Sequence, residues 1–82
     1  MYKATIVVRL KQSVLDPQGS AVKGSLHSLG FAGVTDVRIG KTMEVWIHAD
    51  KETEAAEQVE AMCQKLLANP VIENYTYQLE GA

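Results

Sequence analysis

The sequence predicts an α+β domain with the element order β-α-β-β-α-β. Three observations predict it. Residues 2–10 alternate between apolar and polar. Residues 55–67 carry apolar side chains at three- and four-residue steps. Asp16-Pro17 and Asn69-Pro70 supply a helix start and a helix stop at the matching places. Alternation is the mark of a half-buried strand, and the three/four step that of a helix with one buried face.

The first strand spans 2–10, with Ala4, Ile6, Val8 and Leu10 on one face and Lys3, Thr5, Val7 and Arg9 on the other. The first helix starts at Asp16-Pro17: the carboxylate accepts from free N–H groups, and proline fits the first helical position because its N–H would be unpaired anyway. Val22, Leu26 and Leu29 follow at helical spacing, and Gly30 suits the left-handed residue that closes a helix. Val34, Val37 and Ile39 predict a short second strand over 34–40, with a tight turn at Gly40-Lys41. Residues 42–49 alternate again, setting Met43, Val45, Ile47 and Ala49 against Glu44, Trp46 and His48.

The second helix carries Ala55, Ala56, Val59, Met62, Cys63, Leu66 and Leu67 on one stripe. Asp50 is its expected cap; Glu52 and Glu54 suit its positive first turn and Lys65 its negative last one. Asn69-Pro70 ends it, and 71–79 form a closing strand with Tyr75, Tyr77 and Leu79 on one face. This order is the split βαβ, or ferredoxin-like, two-layer sandwich: an antiparallel sheet with both helices on one face. The other face is left bare, and it carries Val7 and Trp46. A side chain as large as Trp46 on an uncovered face points to burial against something else.

Size and charge bound the function. The 82 residues form one expected domain, 1–82. Leu, Ile, Val and Phe make up 21 of them, enough to fold. A chain this short buries only about 60–65% of its extended surface, which makes assembly an expectation from the start. Cys63 stands alone, so neither an internal disulfide nor a Cys-rich metal site is available. A net charge of −2 without a basic stripe argues against nucleic acid. The apolar run Ala4–Val8 is too short for a signal or spanning segment, and a cytoplasmic location is expected.

No motif for chemistry survives weighing. Gly40-Lys41-Thr42 resembles the tail of a phosphate-binding loop, but Thr35 stands where that motif needs glycine, and a strand follows where it needs a helix. Cys63 lies on the apolar stripe, the position of an inert thiol. His27 and His48 have no partner at ligand spacing. The inner strands lack the aromatic pairs of an RNA-binding sheet. Lys11-Gln12-Ser13 is a poor acyl-phosphatase loop. Glu52, Glu54, Glu57 and Glu60 read as a solvated face.

Ser20, Gly24 and Ser28 make a line of small residues on the first helix. That line is either a tolerated glycine on a wet face or a groove for close approach. Arg38-Ile39-Gly40-Lys41 sets two cations beside a turn, either a solvated hairpin or a rim for a partner's carboxylates or carbonyls. Composition and periodicity lead to a non-catalytic, assembling domain.

Three stretches together resemble one family. They are Leu10-Lys11 to Val14 with Leu15-Asp16-Pro17-Gln18-Gly19, ending at Ala21-Val22, then Leu29-Gly30-Phe31 to Val34 with Val37-Arg38-Ile39-Gly40-Lys41, then Cys63-Gln64-Lys65-Leu66-Leu67-Ala68-Asn69-Pro70-Val71-Ile72-Glu73 with Tyr75. The set resembles PurS, the small-subunit family of phosphoribosylformylglycinamidine (FGAM) synthase. The resemblance implies a non-catalytic subunit in purine biosynthesis, in a complex that uses ATP, Mg and glutamine, with no cofactor bound by this chain. It implies a homodimer or higher homo-oligomer that bridges a synthetase (PurL-type) and a glutaminase (PurQ-type) subunit and supports ammonia transfer between them. The residues expected at interfaces are Trp46, Arg38, Gly40, Lys41, Gly24, Val71, Ile72 and Glu73. An ACT-like domain that binds a regulatory small molecule is the alternative, and a small ferredoxin-like enzyme a further one.

Overall fold

In the computed structural model, which describes residues 1–82, three strands form one antiparallel sheet. Strand β1 (Tyr2–Leu10) lies between β2 (Gly40–Ile47) and β3 (Glu73–Gly81). The register pairs Tyr2 with Ile47 and Gly81, and Arg9 with Gly40 and Asn74. The closing strand therefore pairs within its own chain. β1 takes the centre because Ala4, Ile6 and Val8 are its fully buried positions.

Helix α2 (Glu52–Met62) covers the face those residues form. Ala55, Val59 and Cys63, four residues apart, pack onto Ala4, Ile6, Val8 and Ile47, with Met43, Val45, Tyr75, Tyr77 and Leu79 at the edges. The expected Asp50 cap is replaced. Lys51 is the capping residue and makes no side-chain bond, while the Glu54 carboxylate reaches back to accept from the Asp50 N–H at 3.2 Å.

The helix ends in a π turn over Cys63–Leu67, where the Ala68 N–H donates to the Cys63 carbonyl five residues back. The wider turn rotates the stripe. Ala68 is buried and Leu67 half-buried, whereas Leu66, expected in the core, is 83% exposed. Asn69 then knots the chain. Its carbonyl accepts from the Ile72 and Glu73 N–H groups, and its Oδ1 accepts from the Val71 N–H. That turn uses residues 69–72 and delays the strand from the expected 71 to 73.

The strand expected over 34–40 does not form. Only Gly40 joins the sheet, and Gly40-Lys41 opens β2 instead of turning a hairpin. Side chains hold the segment away from the ladder. The Ile39 N–H donates to Asp16 Oδ2 at 2.7 Å, and the Val37 N–H to Asp36 Oδ1 at 2.9 Å. His27 Nε2 meets the Val34 carbonyl at 2.7 Å. The segment therefore runs along α1 (Pro17–Ser28), close enough that a Cβ on Gly19 would sit 2.1 Å from the Val37 carbonyl oxygen.

Helix α1 begins as expected, with Asp16 Oδ1 accepting from the Gly19 N–H at 2.8 Å. It ends at Gly30, whose φ of 99° is the left-handed value glycine adopts without strain. Gly19 is its only buried residue, and it makes no substantial contact with the sheet or α2. Residues 17–39 thus form an arm beside the body. The radius of gyration is 16.4 Å with extents of 52 × 26 × 14 Å. A compact chain of this length measures about 12 Å.

Candidate interaction surfaces

The face of the sheet opposite α2 is a set of cross-strand rows. The register gives Trp46–Lys3–Glu80, then Glu44–Thr5–Gln78, Thr42–Val7–Thr76 and Gly40–Arg9–Asn74. Trp46 is 57% exposed, with the Lys3 ammonium 5.8 Å above its ring. Lys3 also pairs with Glu44 at 2.7 Å and Glu80 at 3.6 Å. The Glu44 hydrogen bond and its charge raise the Lys3 pKa, so the lysine stays charged over the indole. Val7 is half-buried between two threonines.

The opposite end of the same face gathers three loops. Arg38 Nη2 donates to the Lys11 and Val14 carbonyls, both at 2.9 Å. The Lys11 N–H donates to the Ile72 carbonyl at 2.9 Å. Asp16, 3% exposed, ties the start of α1 to Ile39. The Ile39 and Gly19 bonds depress its pKa, with Arg38 adding to the effect. Arg38 is therefore occupied in holding its own chain together; its expected use on a partner's carbonyls is already met by Lys11 and Val14.

Gly40 is required by close approach. A Cβ there would lie 2.6 Å from the Val8 carbonyl oxygen and 3.1 Å from Arg9 Cγ. Arg38, Gly40 and Lys41, expected together from the sequence, do line one shallow hollow with Arg9 and Thr42. Glu73 turns inward, its Oε1 accepting from the Asn69 N–H at 2.6 Å. Its neighbours Val71 and Ile72 stay outside, 78% and 38% exposed.

Gly24 stands apart on the arm, with nothing within 4 Å of where its Cβ would be. The arm carries the exposed apolar residues Val22, Leu29, Phe31 and Ile39. Leu29 and Phe31 were not singled out from the sequence as surface residues. The signal was present in two bulky side chains flanking a helix-ending glycine, where neither can turn back onto a sheet. The sequence shows Asp16 only as a cap, because its second bond joins residues 23 apart.

The α2 side offers no reactive group. Cys63 is fully buried, and burial pushes its thiol pKa up, as does the Glu60 charge. Tyr75 donates to Glu60 and accepts from Gln64 Nε2, and the Glu60 bond raises the phenol pKa. No three His, Cys, Asp or Glu side chains gather in a metal-holding group, and no helix is long and apolar enough to cross a membrane.

Comparison with known proteins decides the family. A family model described as PurS, phosphoribosylformylglycinamidine (FGAM) synthase, matches residues 3–81. The chain belongs to the PurS family. The FGAM synthase subunit PurS of Bacillus subtilis is 54% identical over 81 residues, covering 98% of this chain and 94% of that protein. The solved structure of Methanocaldococcus jannaschii PurS, one of the subunits of formylglycinamide ribonucleotide amidotransferase in the purine biosynthetic pathway, superposes with a TM-score of 0.86. It is 43% identical and the match covers 100% and 99% of the two chains. A chain in the structure of PurLQS from Thermotoga maritima superposes with a TM-score of 0.86 at 30% identity over 96% of each. The PurS relatives share the chain's α+β, split βαβ class, here carried by three strands and two helices.

Proposed function

We propose that the chain is the non-catalytic subunit that joins a PurL-type synthetase and a PurQ-type glutaminase in glutamine-dependent FGAM synthesis. ATP, Mg and glutamine are used by those partners, in the cytoplasm, and the assembly favours ammonia passing between their sites. The observation that carries this reading is the match over 96% of both chains to a member of PurLQS. The isolated fold supports it. An arm with bare Val22, Leu29 and Phe31 has no covering element in its own chain, and large exposed apolar groups mark interaction sites.

A second copy covers the arm, with Gly24 allowing close approach of the two backbones. Trp46 and the Val71–Ile72 turn, on separate parts of the body, meet the two larger subunits. Size-exclusion chromatography with light scattering tests the arrangement. The chain, the synthetase and the glutaminase should elute as one species, and the chain alone at twice its 9.0 kDa mass or more. A chain that elutes as a monomer apart from both partners, with substrates present, would overturn the proposal.

A further inference from the structure

The open face of the sheet has a knob at one end and a hollow at the other. Trp46, 57% exposed, stands in the first row, Trp46–Lys3–Glu80. The hollow, about 960 Å³, lies over the last two rows, Thr42–Val7–Thr76 and Gly40–Arg9–Asn74. Gln12, Asp36 and Arg38 stand at its rim, and Gly40 puts no side chain into it. Trp46 and Gly40 lie at opposite ends of β2, about 20 Å apart, so no chain can seat its own indole.

The charges divide the same way. Lys3 sits between Glu44 and Glu80, which leaves that end with an excess of one carboxylate. Arg9 has no ion pair, and it shares the hollow end with Arg38 and a single carboxylate, Asp36, so a cation is in excess there.

Two copies laid open face to open face can be related by a two-fold axis along the strands or across them. Along the strands, each row meets itself, with Lys3 on Lys3 and Arg9 on Arg9. Across the strands, the first row of each copy meets the last row of the other. Trp46 then enters the hollow over Gly40 of the second copy. Arg9 of the second copy reaches the Lys3–Glu44–Glu80 group, where the excess charge is opposite to its own. The middle rows meet as Thr5 on Val7 and Gln78 on Thr76. The surface is thus complementary to itself, as a two-fold contact requires.

We propose that a second copy covers the open face in this crossed arrangement, each Trp46 filling the other's hollow. The face measures roughly 15 by 25 Å, well under the about 800 Å² that each partner gives up in a stable pair. The contact is therefore weaker than a permanent one and dissociates on dilution. It is separate from the contact at the arm, and a larger subunit that takes Trp46 displaces it.

Trp46 is the only tryptophan, so its emission reports this contact directly. The test dilutes the purified chain serially, following emission by fluorescence and mass by sedimentation velocity. A blue-shifted maximum that moves to the red on dilution, in step with the loss of mass, is expected. Arg9→Glu should raise the dissociation constant by about tenfold or more, and Arg9→Glu combined with Glu80→Arg should restore it. Both positions are exposed, and an unchanged circular dichroism spectrum shows that the fold is kept. Phe31→Asp, on the arm, should leave the blue shift in place at high concentration. A maximum in the solvent-exposed range at every concentration would overturn the proposal. So would a shift that Arg9→Glu leaves unchanged or that Phe31→Asp abolishes. A shift seen only when the synthetase or the glutaminase is added would also overturn it and give the face to a larger subunit.

Discussion

Asp16 does two jobs with one carboxylate. One oxygen caps α1 and the other fixes Ile39, so the side chain sets where the arm leaves the body. Asp16→Asn replaces one acceptor with an NH₂ group facing an N–H donor, and the melting temperature should fall by several degrees. The pH dependence follows from the direction of the shift. The folded carboxylate has a pKa below its ordinary 3.8. Its contribution to stability is therefore complete above that unfolded value and is lost as pH falls through the folded one. Thermal melts of wild type and Asp16→Asn should differ at pH 7 and converge in strong acid.

Gly40 is held by contact, not by backbone angle. Gly40→Ala would push a methyl group to 2.6 Å from the Val8 carbonyl oxygen, and overpacking of this kind costs about 2 kcal/mol. Urea denaturation measures it. Gly24 is the opposite case, with open space around it. Gly24→Ala should stabilise an isolated α1 by up to about 1 kcal/mol. Gly24→Leu should hinder assembly if the second copy lies there, and unchanged assembly would remove the groove reading.

At the scale of elements, the π turn decides which apolar residues are core. Val59→Ala opens space in the packed face and should cost about 2 kcal/mol. Leu66→Ser, on the outside of the turn, should change stability by less than about 0.5 kcal/mol. Equal losses in a denaturant series would mean that Leu66 is buried. The arm makes its own prediction. Phe31→Asp places a charge on the 58% exposed ring position, leaving the fold intact while raising the dissociation constant of the homo-oligomer at least tenfold, about 1.4 kcal/mol.

These elements also mark what local sequence can carry. β1 and the start and end of α1 were legible because alternation, Asp-Pro and Gly30 are local signals that the tertiary structure does not oppose. The strand expected at 34–40 was not, because its backbone groups are taken along α1 by His27 and by Asp16, whose bond to Ile39 spans 23 residues and lies beyond any local pattern. Leu66 failed for a different reason: a helical period was assumed through a turn that holds one residue more. Of the expected interface residues, Arg38, Gly40 and Lys41 border one hollow, but the Lys41 side chain falls in the Val8–Tyr75 row on the α2 face, and Arg38 and Glu73 bond mainly to their own chain. Charge and glycine give position in a sequence; they do not give the bonds a folded loop has already made.

The whole molecule is an 82-residue sheet with one packed face and a detached arm. Ten buried residues give little core for independent stability, and burial between chains is the available remedy. The same shape suits a subunit whose work is to hold others. The most direct measurement is reconstitution of FGAM formation from purified synthetase and glutaminase, with and without this chain, using glutamine or free ammonia as the nitrogen source. The account predicts that omitting the chain abolishes the glutamine-dependent rate and leaves the ammonia-dependent rate largely intact. An undiminished glutamine-dependent rate without the chain would contradict it.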